Sequence, residues 1–242
     1  TNEAERHSVR RSMKRCVFAI GDLHLSGAVN KPMDVFGSQW IHHWDRIQED
    51  WRKRVGPKDI VLIPGDISWA MRLEEARPDL LSIGRLPGEK VLIRGNHDYW
   101  WSSLSRVRSI LPPSMHVLQN DSFLLDGIAY CGTRGWIHPG TKDFGEHDTK
   151  IYKRELQRLK LSLDHANRSA DSRIVLLHYP PFGEGGRITD AVRILEQYQP
   201  SHVVYGHLHG EGTRDAFEGE YKGTRYHLVS CDHIGFRLKR IA

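Results

Sequence analysis

Five short apolar runs in this chain each stop at a polar cluster, and that recurrence limits what the chain can fold into. The runs are Cys16–Ile20, Asp59–Ile63, Lys90–Ile93, Arg173–Leu177 and His202–Tyr205. They are rich in Val, Ile and Leu, as strands buried on both faces are. The clusters behind them are Gly21-Asp22-Leu23-His24, Gly65-Asp66, Gly95-Asn96-His97-Asp98, His178 and Gly206-His207-Leu208-His209. Four of the five carry a glycine beside the polar residue, which lets the backbone turn sharply where a strand ends. Longer amphipathic segments separate the runs. Gln39–Val55 puts Trp40, Trp44, Ile47 and Trp51 on one face of a predicted helix, a stripe that reads as core. Leu73–Leu86, Ser102–Leu111, Ile151–Ala166 and Ile188–Gln197 also read as helices, with Pro78 interrupting the first of these four. Such alternation predicts α/β layers.

The middle of the chain changes character. His116–Gln119, Ser122–Leu125 and Ile128–Cys131 read as a meander of short strands, and Thr133–Thr149 as a polar loop. Tyr226–Cys231 reads as a final strand. Residues 1–14 are expected to be a disordered leader, and 15–242 one domain. A chain of 242 residues can bury a core without covalent staples. Its three cysteines, Cys16, Cys131 and Cys231, are scattered and odd in number, which argues against a disulfide framework. No apolar run approaches the roughly 18 residues of a membrane span, so no membrane partner is expected. Thr1 to Arg15 lacks the apolar core of a secretory signal, and the expected location is the cytoplasm. The net charge of +5 is compatible with a phosphate-bearing partner. Much of it sits near the two ends (Arg10, Arg11, Lys14, Arg15, Arg237, Lys239, Arg240) and reads chiefly as solvated surface.

In open α/β sheets, sites lie outside the carboxyl ends of the strands. If the five strands are neighbours, their clusters share one crevice. Singly the clusters say little: His178 alone fits a satisfied core histidine, and Asp66 alone fits a turn or a helix cap. Together they supply carboxylates, imidazoles and an amide oxygen. That set suits a pair of divalent ions, Mn²⁺ first, with Fe or Zn²⁺ as alternatives, and its lack of thiolates argues against a structural zinc. Two cations about 3.5–4 Å apart need a shared carboxylate, for which Asp66 is the natural candidate. Such a pair activates hydroxide for in-line attack on phosphorus and neutralises the phosphoryl oxygens.

The order G-D-x-H, G-D, G-N-H-D, lone His, G-H-x-H resembles the calcineurin-like metallophosphoesterase superfamily, from Val17 to about Cys231. The resemblance implies a four-layer α/β/β/α sandwich with two mixed β-sheets and a dimetal site at the strand C-terminal edge. It implies that Asp22, His24 and His209 hold one metal, that Asp66 bridges, and that Asn96, His178 and His207 complete the second. It implies that His97 is a general acid or phosphate contact rather than a ligand, oriented by Asp98; a helix cap is the competing role for Asp98. Arg94 echoes the R-G-N-H of protein Ser/Thr phosphatases and could reach a substrate phosphate. The chain departs from that branch, which has G-D-x-x-D-R-G where this sequence runs Gly65-Asp66-Ile67-Ser68-Trp69-Ala70-Met71. Purple acid phosphatases carry a tyrosine ligand where this chain has Trp69. The strings IPGDISWAMRLEEA, GNHDYWWSSL and CGTRGW look like those of uncharacterised bacterial cytoplasmic phosphohydrolases.

Trp69, Tyr99, Trp100 and Trp101 directly follow these clusters and Trp136 lies in the polar central loop, either as stacking surfaces for a flat group or, by preference, as packing under the loops. Arg134, His138, Lys142, Asp143 and His147 make the central loop a candidate lid, with no catalytic role assigned. The expected activity is hydrolysis of a phosphate ester, on a small molecule or nucleotide. A diester is favoured because no clamp of several basic residues is evident for a dianionic monoester. A nuclease or cyclic-nucleotide phosphodiesterase is the alternative, which would make nucleic acid a partner, and a non-catalytic scaffold is the remote one.

Overall fold

The computed structural model describes residues 15–166 and 170–242, so the expectation for 1–14 lies outside the described residues. Two mixed sheets lie face to face with helices on both outer faces, the expected four-layer sandwich. The first sheet has the order β11-β1-β2-β3-β4, from β1 (Val17–Ala19), β2 (Ile60–Ile63), β3 (Glu89–Leu92), β4 (Met115–Val117) and β11 (Lys239–Arg240). The second has the order β5-β6-β7-β8-β10-β9, from β5 (Ser122–Leu125), β6 (Ile128–Thr133), β7 (Ser172–Leu177), β8 (His202–Tyr205), β9 (Gly219–Tyr221) and β10 (Thr224–Leu228). Strands β1 to β4 run parallel to their neighbours, as do β6, β7, β8 and β10; β11, β5 and β9 are antiparallel edges.

The period-2 alternation of each strand divides its apolar residues between layers. Val17, Ala19, Ile60, Leu62, Val91 and Ile93 point inward and meet Tyr130, Ile174, Leu176 and Val204 of the second sheet. Their neighbours Phe18, Ile20, Val61, Ile63 and Leu92 point outward onto α1 (His43–Arg54), α2 (Leu73–Gly84) and α3 (Leu104–Ile110). Val175, Leu177, Val203 and Tyr205 face α4 (Glu146–His165) and α5 (Asp190–Tyr198). Strands buried on both faces have no polar side, which is why they read as continuous apolar runs.

Three expectations need correction. The meander does not form: β4 pairs in parallel with β3, and only β5 and β6 make a hairpin. The turn at Asn120, with a left-handed backbone (φ 64°), carries the chain from one sheet to the other instead of reversing it within one. The first helix starts at His43, because His42 is left-handed (φ 51°) and leaves Trp40 on a separate turn of 3-10 helix, Ser38–Trp40. Finally, α4 begins at Glu146 rather than Ile151, since Asp148 Oδ2 accepts the Gly145 N–H at 2.9 Å and secures an earlier start.

Candidate metal centre

Parallel pairing puts the carboxyl ends of β1, β2, β3, β7 and β8 along one edge. All five clusters therefore meet there. The two sheets are stitched together at this edge: Gly21 bridges Ser230, and the Gly21 N–H donates to the Val229 carbonyl at 2.7 Å. His178 Nδ1 lies 2.9 Å from the Pro64 carbonyl, which fixes the ring and leaves Nε2 facing the crevice. Two glycines are required by close approach. A Cβ on Gly95 would fall on the Asp66 carboxylate, and one on Gly206 would fall on Asp22 Oδ2.

The side chains form two overlapping groups. Asp22, His24 and His209 each present a ligand atom within 4.8 Å of the others, and so do Asp22, Asp66 and His178. Asp22 thus belongs to both groups, where the sequence had pointed to Asp66 alone as the shared carboxylate. Asp66 Oδ2 lies 3.5 Å from His178 Nε2 in its own group and also reaches the first group, 3.7 Å from His24 Nε2. Asn96 Oδ1 lies 2.6 Å from His178 Nε2 and 3.1 Å from His207 Nδ1. The His207 N–H donates to the Asp22 carboxylate at 3.0 Å.

This donor set suits divalent cations. Asp22, His24, Asp66 and His178 are all buried, so lone pairs and negative charge converge where water is scarce. Burial pulls His24 and His207 down to about 3, leaving neutral imidazoles, the form that binds a metal. Burial also drives Asp66 up to about 7, against the attraction of His178 and with the repulsion of Asp22. For Asp22, burial opposes ionisation, but the His209 hydrogen bond and the nearby imidazoles outweigh it and bring it to about 2. A cation would relieve what burial imposes on Asp66.

One residue here escaped the sequence reading. Asp232, just beyond β10, lies 2.8 Å from His209 Nδ1 and also accepts the Gly210 N–H at 3.1 Å. Burial lowers the His209 pKa, but hydrogen bonds to Asp22 and Asp232 more than reverse this, to about 10. A histidine held by a carboxylate behind it and facing a metal position in front is a common arrangement around metals. Its only sequence signal was a position just after a strand, too weak to single out.

Asp98 does not orient His97. Its Oδ1 accepts from the N–H groups of Ile67 (2.8 Å) and Ser68 (3.2 Å) and from the Trp100 indole (3.0 Å), and its Oδ2 from the Gly95 N–H (2.7 Å). It is a buried brace between two of the strand-end loops. It caps no helix either, since α3 starts only at Leu104. His97 is anchored through its backbone, whose N–H donates to Asp66 Oδ1 at 2.8 Å, and its Nδ1 is buried with no hydrogen-bond partner among the described residues.

Two cavities flank the centre and share His207. One of about 350 Å³ is walled by Met33, Phe36, Trp40 and Trp69 and reaches His24 and His97. Trp69 stacks on His24 with ring centres 4.7 Å apart. The other, about 330 Å³, is walled by Trp136, His138, Tyr179, Phe182 and Phe217. Trp100 and Trp101 are core, and Tyr99 is half exposed. Trp40 is buried in the core, as its place in the stripe implied, and also walls the first of these cavities.

The model of the family described as calcineurin-like phosphoesterase matches residues 17–211. Solved structures of similar fold include phosphopantetheinyl hydrolase (PptH) from Mycobacterium tuberculosis, with TM-score 0.59 and 14% identity over 94% of this chain and 96% of that one. TT1561 of Thermus thermophilus gives TM-score 0.55 and 13% identity over 95% and 99%. The protein of unknown function AQ665 from Aquifex aeolicus gives 0.50 and 12% over 94% and 96%. At these identities the likeness is one of fold. No curated protein matches the chain.

Proposed function

Because the chain belongs to the calcineurin-like phosphoesterase family, we propose that it is a dimetal phosphoric ester hydrolase whose domain spans residues 15–242. The observation that carries this reading is the convergence of Asp22, His24, Asp66, Asn96, His178, His207 and His209 on one sheet edge. Asp22, His24 and His209 would hold one cation, and Asn96, His178 and His207 the other, with Asp66 and Asp22 facing both. Mn²⁺ is the first choice by donor chemistry, with Fe and Zn²⁺ as alternatives. When bound, the two ions supply Lewis-acid chemistry, neutralising phosphoryl oxygens and activating water.

The chain's own groups do the rest. His97 lines the cavity beside the centre, and its Nδ1 is buried without a hydrogen-bond partner among the described residues. It is half buried, and burial followed by the repulsion of His178 lowers its pKa. In this reading His97 holds a proton for the departing alkoxide once the negative substrate is bound. The walls of Met33, Phe36 and Trp69 would receive the leaving group and exclude water around it.

The preference for diesters rests on the lack of an evident clamp of several basic residues for a dianionic monoester. The like charge of Arg94 acts on Arg134, so a second basic group bears on that side of the centre, and monoesters are to be tested beside diesters. Among the described residues no helix is long and apolar enough to cross a membrane; the substrate proposed is a small molecule or nucleotide. The test is an assay of protein loaded with Mn²⁺ on p-nitrophenyl phosphate, its bis-ester and cyclic nucleotides. Hydrolysis of at least one, abolished in Asp66→Asn and His178→Ala, is the expected result. Full activity in either variant would overturn the proposed site.

A further inference from the structure

Strand β6 ends in the same direction as β7, and the residue just past it is Arg134. Its backbone carbonyl accepts the N–H groups of His178 and Tyr179, both at 3.0 Å, so it is anchored directly behind a candidate metal ligand. Its guanidinium lies over the Trp136 ring, 4.6 Å from the centroid, and its side chain is only 14% exposed. Arg94 follows β3 of the other sheet, two residues before Asn96.

These two cations are poorly compensated. Arg134 Nη2 has Glu155 at 3.5 Å, a weak contact. That one carboxylate also serves Arg158 at 2.9 Å, Arg154 at 3.8 Å and the Thr133 hydroxyl at 2.7 Å. Arg94 makes no hydrogen bond or ion pair among the described residues. The Nε atoms of both arginines are buried and unpartnered. Burial pulls Arg134 below the ordinary guanidinium range, Glu155 opposes this, and the like charge of Arg94 adds to it. Two buried, unpartnered N–H donors and like charges that act on each other are costly, a cost that an anion held by the guanidinium groups would lower. Tyr179 closes the group, its ring 4.2 Å from that of His207 and 5.2 Å from that of Trp136.

We infer that Arg134, together with Arg94, forms a two-guanidinium clamp for the non-bridging oxygens of the phosphoryl group, on the Asn96–His178–His207 side of the centre. Planar guanidinium forks suit phosphate oxygens better than ammonium groups do. Glu155 and Trp136 keep the Arg134 fork in place. The inference builds on the proposed phosphoesterase reading and adds a residue outside the five strand-end clusters.

The test uses full-length protein loaded with Mn²⁺, with inorganic phosphate as the probe in calorimetric titration. Melting temperature and metal content are measured on every variant. Arg134→Ala should weaken phosphate binding by about 10- to 100-fold, the range for a charged hydrogen bond, with metal content retained. Arg134→Lys, which keeps a cation for Glu155, should weaken it by about fivefold or more through loss of the fork. The value of kcat/KM for p-nitrophenyl phosphate should fall in parallel. Phosphate affinity within twofold of wild type in folded, metal-replete Arg134→Lys or Arg134→Ala would overturn the clamp. If Arg134→Ala fails to fold, Arg134→Lys decides. A wild type that binds phosphate through Arg134 yet hydrolyses no ester would overturn the activity and leave the clamp standing. A wild type that hydrolyses esters with no loss on substitution of Arg134 would do the reverse.

Discussion

Asp66→Asn separates the electrostatic reading of the site from its packing. Burial raises the Asp66 pKa from 3.8 to about 7 in the metal-free fold. A group whose folded pKa is raised contributes stability that is complete below its unfolded pKa and lost as pH rises through the folded one. For Asp66 that window runs from about pH 4 to about pH 7. Above it, the gap between the two values corresponds to about 4 kcal/mol of destabilisation. Asparagine removes the charge, keeps the acceptor for the His97 N–H (2.8 Å) and gives up the attraction to His178 Nε2 (3.5 Å). The net gain expected at pH 8 without metal is about 2 kcal/mol. In a chain of this size that raises Tm by roughly 4–8 °C. At pH 5, where wild-type Asp66 is already protonated, the difference should vanish. With Mn²⁺ the order should reverse, because ligand binding stabilises only the protein that can hold it. The assay is thermal melting of both proteins, chelated and Mn²⁺-loaded, at pH 5 and pH 8. An Asp66→Asn variant that melts below wild type at pH 8 without metal would refute the reasoning. So would an equal difference at both pH values, since that would make the effect one of shape and not of charge.

Other groups around the centre give independent tests. Asp232→Asn removes one of the two carboxylates that hold His209, so its pKa should fall from about 10 and metal affinity should drop by about 10- to 100-fold, read by competition with a chromophoric chelator. His97→Ala should cost about 10²–10⁴ in kcat on an alkyl phosphate ester and much less on a p-nitrophenyl ester, whose leaving group needs no proton; equal losses on both would remove the general-acid role. Asp98→Ala strips the acceptor from three backbone N–H groups and the Trp100 indole, and should destabilise by more than about 3 kcal/mol in urea unfolding. A change below about 1 kcal/mol would show that the brace is dispensable.

Strands and ligand candidates were legible in the sequence for the same reason. A strand buried on both faces is a short apolar run, and a polar cluster directly after it must emerge at the sheet edge. Hence Asp22, Asp66, Asn96, His178 and His207 could be read as one site before any coordinates. What pairing decides was not legible. β4 reads like the start of a meander and joins the other sheet, and β9 and β11 are edge strands of 3 and 2 residues with little apolar signal. Asp98 illustrates a second limit. Its neighbour in sequence, His97, implied a partnership, but side chains one residue apart diverge, and the carboxylate turned back to the backbone of the preceding loop. Asp232 was missed because it follows a strand singly, with no companion residue to form a motif, and Arg134 was read only as part of the central loop.

The backbone at the centre carries the same tension as its charges. Asp22 (φ 56°), His24 (φ 46°), Asp66 (φ 51°) and His207 (φ 72°) are all left-handed, a conformation costing roughly 1–2 kcal/mol for a residue with a Cβ. Extended residues would alternate faces, sending every second side chain into one of the cores. The left-handed step turns the chain back at the strand end and lets ligands from both sheets meet over the edge. Each step is held by bonds that a relaxed backbone would lose: Asp22 N–H to the Gly65 carbonyl, His24 N–H to the Asp66 carbonyl at 3.0 Å, and His207 N–H to the Asp22 carboxylate. Three separate apolar layers, two outside the sheets and one between them, supply the stability that these bonds alone cannot. Strain, crowded imidazoles and buried carboxylates therefore concentrate at the one place where cations would relieve them.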